Sequence, residues 1–275
     1  MAAADDRRTE LVATLRAAGC VFAEAEAELL LAARAVDPGA DLEVLVARRV
    51  AGSPLEHVLG WAEFCGLHVQ VGAGVFVPRR RTELLVRVAL DRLRAVSGRP
   101  VVVDLCCGTG AVAAAVAAAV PDVELYAADL DPVAAGWARR NLAGRGTVWC
   151  GDLFAPLPST LRGRVDLVVA SAPYVPTDAI ALLPPEARLH EPRQALDGGP
   201  DGLVVYRRLI AAAPGWLNTD GRLVVETSAH QAEVVADLVR DRGLASQVVS
   251  DEEDSTVVIG SASVGSVRAD ALSGR

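Results

Sequence analysis

Val101-Val-Val-Asp104-Leu-Cys-Cys-Gly108-Thr-Gly110 runs into the alanine-rich stretch 111–120, which Pro121 ends. The short β-branched run reads as a buried strand, the glycines as a turn and the alanines as a helix. A glycine turn lets backbone approach a ligand with no Cβ in the way. In open α/β sheets, ligands sit outside the carboxyl ends of the strands. The stretch therefore predicts a ligand-binding strand–turn–helix unit.

Downstream, VELYAADL, TVWCGDL, VDLVVASAPY and GRLVVETS are further β-rich runs, most of them separated by helical stretches such as PVAAGWARRNLA. Alternating strands and helices predict an α/β fold, doubly wound, with a mostly parallel sheet covered on both faces. ASQVVSDEEDSTVVIGSAS reads as two strands joined by an acidic turn, an antiparallel pair finishing the sheet. Upstream, apolar residues at helical spacing between Arg7 and Val50 predict a small helical domain, and glycines 60, 66, 72 and 74 punctuate a hairpin. The expected division is a helical domain over 1–55, a hairpin linker over 56–80, the catalytic domain over 81–263 and a flexible tail over 264–275.

The chain of 275 residues carries a formal charge of −8, which disfavours tracking a nucleic-acid backbone over a large surface. Its longest apolar run is too short to span a bilayer, and the N-terminal decapeptide lacks an apolar signal core, so a soluble cytoplasmic protein is expected. Cys20, Cys65, Cys106, Cys107 and Cys150 form no C-x-x-C pair and have no His at ligand spacing, so no metal site is expected. Arg79, Arg80 and Arg81 make either a basic patch or an acid-paired turn.

What the glycine turn binds is open on spacing alone, because Gly108-x-Gly110-x-x-Ala113 followed by Asp129 also fits a dinucleotide fingerprint. Three acids favour S-adenosylmethionine. Asp104 ends the first strand, where a carboxylate suits an ammonium group and repels a pyrophosphate. Asp129 ends the second strand and can accept both ribose hydroxyls. Asp152 follows the third, able to accept from an adenine amino group, with Phe154 expected to lie on the base. Cys106, Thr109, Leu130 and Leu153 neighbour these acids on the same loops and complete the expected cofactor surface. Helix capping is the competing role for each acid, and Asp131 before Pro132 is expected to be a cap.

After the fourth strand comes Ser171-Ala172-Pro173-Tyr174, a polar-x-Pro-aromatic loop. An amide nitrogen is a poor nucleophile, so acceptors must hold it in line with the methyl donor and stabilise the charge that develops on it. With these residues in place the chain resembles the PrmC/HemK family of protein glutamine N5-methyltransferases. The segments that carry the resemblance are PLEHVLGWAEFCGLHVQVGAGVFVPRRRTELLV, DLCCGTG, GDLFAPLP and LPPEARLHEPRQALDGGPDGL. It implies a seven-stranded Rossmann-like methyltransferase sheet and a protein substrate of the peptide chain release factor kind. It also implies catalytic roles for Ser171, Ala172, Pro173 and Tyr174, with Ser171 touching the cofactor as well.

Two positions depart from the family pattern. Ser171-Ala172 stands where the family has Asn-Pro, and Ala172 followed by Val-Pro-Thr looks like a PrmC-related branch found in actinobacteria. Cys106 stands where the family often has Gly, an exchange that suits a negative φ. Methylation of a small molecule or peptide natural product, and a catalytically weakened cofactor-binding interaction protein, are the alternative functions.

Overall fold

The computed structural model describes residues 2–36, 39 and 41–262. The tail expected to be flexible over 264–275 lies outside the described residues. Four helices, α1 (Ala2–Ala17), α2 (Ala23–Val36), α3 (Leu42–Val50) and α4 (Leu55–Leu59), pack around Leu11, Leu15, Leu30, Leu42 and Val58. Asp41 starts α3 by accepting from the Glu43 N–H at 2.9 Å, as a capping carboxylate does. α4 carries the helical run past the boundary expected at residue 55, because Val58 belongs to the same apolar cluster.

Strands β1 (Trp61–Phe64) and β2 (Leu67–Gln70) form an antiparallel hairpin. Asn141 anchors it. Its Oδ1 accepts from the Gln70 N–H at 2.8 Å, and its Nδ2 donates to the carbonyls of Gln70 at 2.9 Å and Thr109 at 2.8 Å. One side chain thus ties the hairpin to the glycine turn.

The main sheet has seven strands in the order β5-β4-β3-β6-β7-β9-β8. They are β3 (Val101–Leu105), β4 (Glu124–Asp129), β5 (Thr147–Cys150), β6 (Val165–Ala170), β7 (Leu217–Thr227), β8 (Leu244–Ser250) and β9 (Thr256–Ala262). β5, β4, β3, β6 and β7 run parallel, whereas β9 pairs antiparallel with both β7 and β8, the expected terminal pair. All five residues of β3 are buried, as a central strand covered on both faces requires.

Alternation along β3 divides two cores. Val102 packs with α5 (Glu83–Leu93) and α6 (Ala111–Ala119), together with residues of α7 (Pro132–Leu142). Val101, Val103 and Leu105 pack with α8 (Val204–Ala212) and α9 (Ala232–Arg240). Leu105 is fully buried, a placement worth about 1.5–3 kcal/mol. Among the described residues no helix is long and apolar enough to cross a membrane, and no group of three or more His, Cys, Asp or Glu could hold a metal ion.

From β3 the chain winds outward through β4 and β5, then returns to the other side of β3 for β6 and β7. The order reverses between β3 and β6. That reversal opens a crevice at the strands' carboxyl ends.

Candidate active site

The loops after β3, β4, β5 and β6 meet in this crevice. A cleft of about 810 Å3, open mouth included, is lined by Cys106, Gly108, Asp129, Leu130, Asp152, Leu153, Ser171 and Pro173, and by Phe76 from the segment after the hairpin. Pro192, Gln194 and Ala195 close one side of it. A smaller adjoining lobe holds Asp104, Thr109, Arg79 and Thr82, and shares Phe76, Cys106, Gly108 and Ser171 with the first.

Asp104 is 1% exposed, and its Oδ2 accepts from the Ala113 N–H in the first turn of α6 at 3.0 Å. The capping role and the lobe-lining position therefore coexist in one carboxylate. Burial pushes its pKa up to about 8; the nearby Asp129 charge adds to this, and the Ala113 N–H opposes it. Thr109 is buried in the same lobe, and its Oγ1 has no partner among the described residues.

Asp129 Oδ2 accepts from the Gly108 N–H at 2.7 Å and Oδ1 from the Asp131 N–H at 2.9 Å. Each oxygen keeps a lone pair free. Burial raises its pKa, and the two N–H groups work against the rise. Asp131 caps α7 through the Val133 N–H at 2.8 Å, as expected. Asp152 lines the cleft while paired with Arg208, a partner that sequence spacing did not reveal.

Two expectations are corrected. Phe154 does not lie against the cleft: it is 5% exposed and stacks on Trp216 at 5.2 Å between ring centroids, inside the core, and Leu153 lines the cleft in its place. The turn at Leu153, with φ of 49°, swings these neighbouring side chains apart. Cys106 has φ of 54°, not the negative value its side chain would favour. A residue with a Cβ pays about 1–2 kcal/mol for that conformation.

The loop after β6 is held by its backbone. Gln231 Nε2 donates to the Tyr174 carbonyl at 3.1 Å, the Val175 N–H donates to Leu196 O at 3.0 Å, and the Gly198 N–H donates to Val175 O at 2.8 Å. Gly202, at φ of 74°, presses so closely that a Cβ there would lie 2.3 Å from the Tyr174 carbonyl oxygen. This explains the last glycine of the LDGGPDGL stretch. Ala172 is buried, and its carbonyl oxygen lies 3.4 Å from the Tyr206 hydroxyl, whose shorter bond goes to the Glu226 carbonyl.

The three consecutive arginines are acid-paired, each to a different segment. Arg79 pairs with buried Glu191, Arg80 lies 3.9 Å from Glu253 and Arg81 lies 3.6 Å from Glu226. Glu191 Oε1 also accepts from the Val77 N–H at 3.2 Å, fixing the stretch that leads from Phe76 into the cleft wall at Pro192.

Comparison with known proteins agrees with this geometry. Residues 102–190, from β3 past the Ser171 loop, match a methyltransferase domain. A release factor glutamine methyltransferase of Mycolicibacterium smegmatis is 42% identical over 241 residues, 80% of this chain and 84% of that protein. The chain belongs to the release factor glutamine methyltransferase family. A second member, from Geobacter sulfurreducens, is 42% identical over 194 residues, covering 70% of this chain and 66% of its own length. The fold is shared more widely: a methyltransferase from Pyrococcus furiosus superposes with a TM-score of 0.51 at 16% identity, over 72% of this chain and 90% of that one. In this family member the cleft lies where the sheet order reverses, and Ser171 and Pro173 of the loop after β6 line it, whereas Ala172 is buried and Tyr174 lies outside the lining.

Proposed function

We propose that this chain transfers a methyl group from S-adenosylmethionine to the side-chain amide nitrogen of a glutamine in a protein, a peptide chain release factor being the substrate class. The position of Ser171 carries this reading. It lines both lobes, so whatever the loop after β6 holds stands where the nucleoside end and the amino-acid end of one ligand would join.

The residues present fit that ligand. The large lobe offers the Asp129 lone pairs for ribose hydroxyls, with Leu130 and Leu153 as apolar walls for a base and Asp152 at its rim. Gly108 and Gly110 let backbone come close. The small lobe offers buried Asp104 and the unpartnered Thr109 hydroxyl to a zwitterionic end. When bound, S-adenosylmethionine supplies an electrophilic methyl on a sulfonium.

The chain's own part is to place the nucleophile. The Ser171 hydroxyl accepts one N–H of the target amide and the Ala172 carbonyl the other, which aligns the nitrogen and stabilises its developing positive charge. Pro173 sets the turn, and the Tyr174 ring packs over the target group. The proton leaves after transfer, when the nitrogen is far more acidic, so no strong general base is required. We assign the helical bundle, the hairpin and the sheet unit as three working parts, with the hairpin fixing Phe76 at the cleft.

Calorimetric titration with S-adenosylmethionine, with NAD as control, tests the cofactor. Transfer of a labelled methyl group to a recombinant release factor, located by peptide mass mapping, tests the acceptor. Micromolar binding of S-adenosylmethionine alone and a label on glutamine support the proposal. Binding of NAD, or a label found only on small molecules of a cell extract, defeats it.

A further inference from the structure

Glu226 is the penultimate residue of β7 and stands beside the loop after β6, since Ala170 stands opposite Val225 in the parallel register. It is 3% exposed, and its buried Oε2 has no hydrogen-bond partner among the described residues. Its Oε1 lies 3.6 Å from Arg81 Nε. The Arg81 guanidinium in turn sits over the Tyr174 ring, 5.7 Å from the centroid, with about half of its side chain exposed.

A buried carboxylate is costly to keep unless it is paired, and Arg81 is the one cation paired with it among the described residues. The negative face of an aromatic ring attracts a guanidinium, and more so where water is thinned out. Glu226 is fixed by the sheet and Arg81 by the 3-10 turn over Arg80–Thr82 that leads into α5, so the two together dictate where the ring of Tyr174 can stand. The backbone anchors from Gln231 and Gly202 hold the loop but leave the ring free to turn about its χ angles. The Arg81–Glu226 couple supplies that missing constraint.

We propose that Arg81 and Glu226 are positioning residues that set the Tyr174 ring over the methyl acceptor. The proposal rests on the reading of the Ser171–Tyr174 loop as the acceptor site, and it concerns turnover rather than cofactor binding. Neither residue lines the cleft or the small lobe, so S-adenosylmethionine affinity is expected to stay within about twofold when either is changed.

The test uses the full chain with Arg81→Met, which keeps the stem and removes the fork, and Glu226→Gln, which keeps shape and removes charge. Each is expected to lower kcat for acceptor methylation about tenfold, the scale of a modest misplacement. Arg81→Lys should not rescue, because an ammonium lacks the planar face that stacks on a ring. In a Tyr174→Ala background, Arg81→Met should cost nothing further, since it acts through the ring. Wild-type kcat in Arg81→Met, or full additivity with Tyr174→Ala, would overturn the proposal while leaving the proposed function intact.

A second readout needs no acceptor. Incorporated 3-fluorotyrosine gives one 19F line for each of the three tyrosines, with the Tyr174 line assigned by Tyr174→Phe. Arg81→Met is expected to shift the Tyr174 line and leave that of Tyr126 in place. An unmoved Tyr174 line sinks the proposal whether or not a release factor is the substrate. Because Arg81 is half exposed, this variant keeps the test open even if Glu226→Gln fails to fold.

Discussion

The Gly108 N–H donates to Asp129 Oδ2 at 2.7 Å, so the acid that ends β4 holds the glycine turn that follows β3. One carboxylate therefore serves two ends: it shapes the turn and presents its remaining lone pairs to the cleft.

Replacing Asp129 by Ala removes both functions. In the proposed complex two hydrogen bonds from the ligand to a charged acceptor are lost, and two backbone N–H groups lose their partner. At about 1.5–3 kcal/mol for each such bond, S-adenosylmethionine affinity is expected to fall at least 100-fold. The ligand-free protein should lose about 1–3 kcal/mol. Calorimetry and a urea melt on one preparation separate the two effects. Unchanged affinity with lowered stability would leave Asp129 a purely structural residue.

Asp104 makes the ligand-free protein sensitive to pH in an unusual direction. Its folded pKa, about 8, lies above the ordinary carboxylate value of 3.8, so the folded state holds a proton that the unfolded chain has released. Its stabilising share is present in full below about pH 4 and is lost as pH rises toward 8, at no more than about 1.4 kcal/mol per pH unit. Asp104→Asn should flatten that slope in melts run between pH 5 and 8. An ammonium group seated beside the carboxylate would ionise it, so S-adenosylmethionine affinity should rise with pH through the same window. A slope identical in wild type and Asp104→Asn would exclude Asp104 as its source.

Gly202 carries the close approach that fixes the loop after β6. A methyl side chain there would meet the Tyr174 carbonyl oxygen at 2.3 Å and Gln231 Nε2 at 2.4 Å, at a φ that favours glycine. Overpacking costs about 1–3 kcal/mol and the backbone conformation about 1–2 more, so Gly202→Ala is expected to lose about 2–5 kcal/mol. Methyl transfer should drop with it, whereas S-adenosylmethionine binding by the surviving folded fraction should remain, because Gly202 lines neither lobe. A urea melt coinciding with that of wild type would show that the loop gives way at no cost.

The parts of this fold written in local pattern were legible before any coordinates. The stretch from Val101 to Ala119 announces its strand, turn and helix because burial on both faces demands an unbroken apolar run and the left-handed turn at Gly108 and Gly110 favours glycine. Asp131-Pro132 announces a cap because the same two residues make the bond and preset φ. What escaped depends on residues far apart in the chain. Arg208 meets Asp152 across 56 positions, and Arg81 reaches Glu226 through the folded sheet. Phe154 was misread because a single left-handed residue, Leu153, decides which of two adjacent side chains faces the cleft, and no composition rule marks a leucine for that conformation. Cys106 shows the same blindness: its φ of 54° is imposed by the turn around it.

Ser171 is the position where the chemistry and the family pattern part. Its side chain is half-buried at the junction of the two lobes, and its hydroxyl offers a single acceptor oxygen on a short arm. An asparagine amide reaches further and presents a carbonyl that cannot turn into a donor at the same atom. If glutamine is the acceptor, Ser171→Asn should hold the amide better in the transition state and raise kcat/KM toward a release factor by about tenfold to a hundredfold, the scale of one hydrogen bond to a group that becomes charged. S-adenosylmethionine affinity should change little, because Asp104, Asp129 and the glycine turn are untouched. Steady-state methyl transfer to the same release factor by both proteins measures it. A fall in rate would mean that the loop is built around serine, with its acceptor set closer to the backbone than an asparagine permits, and would direct the search to a smaller planar nitrogen than a glutamine side chain.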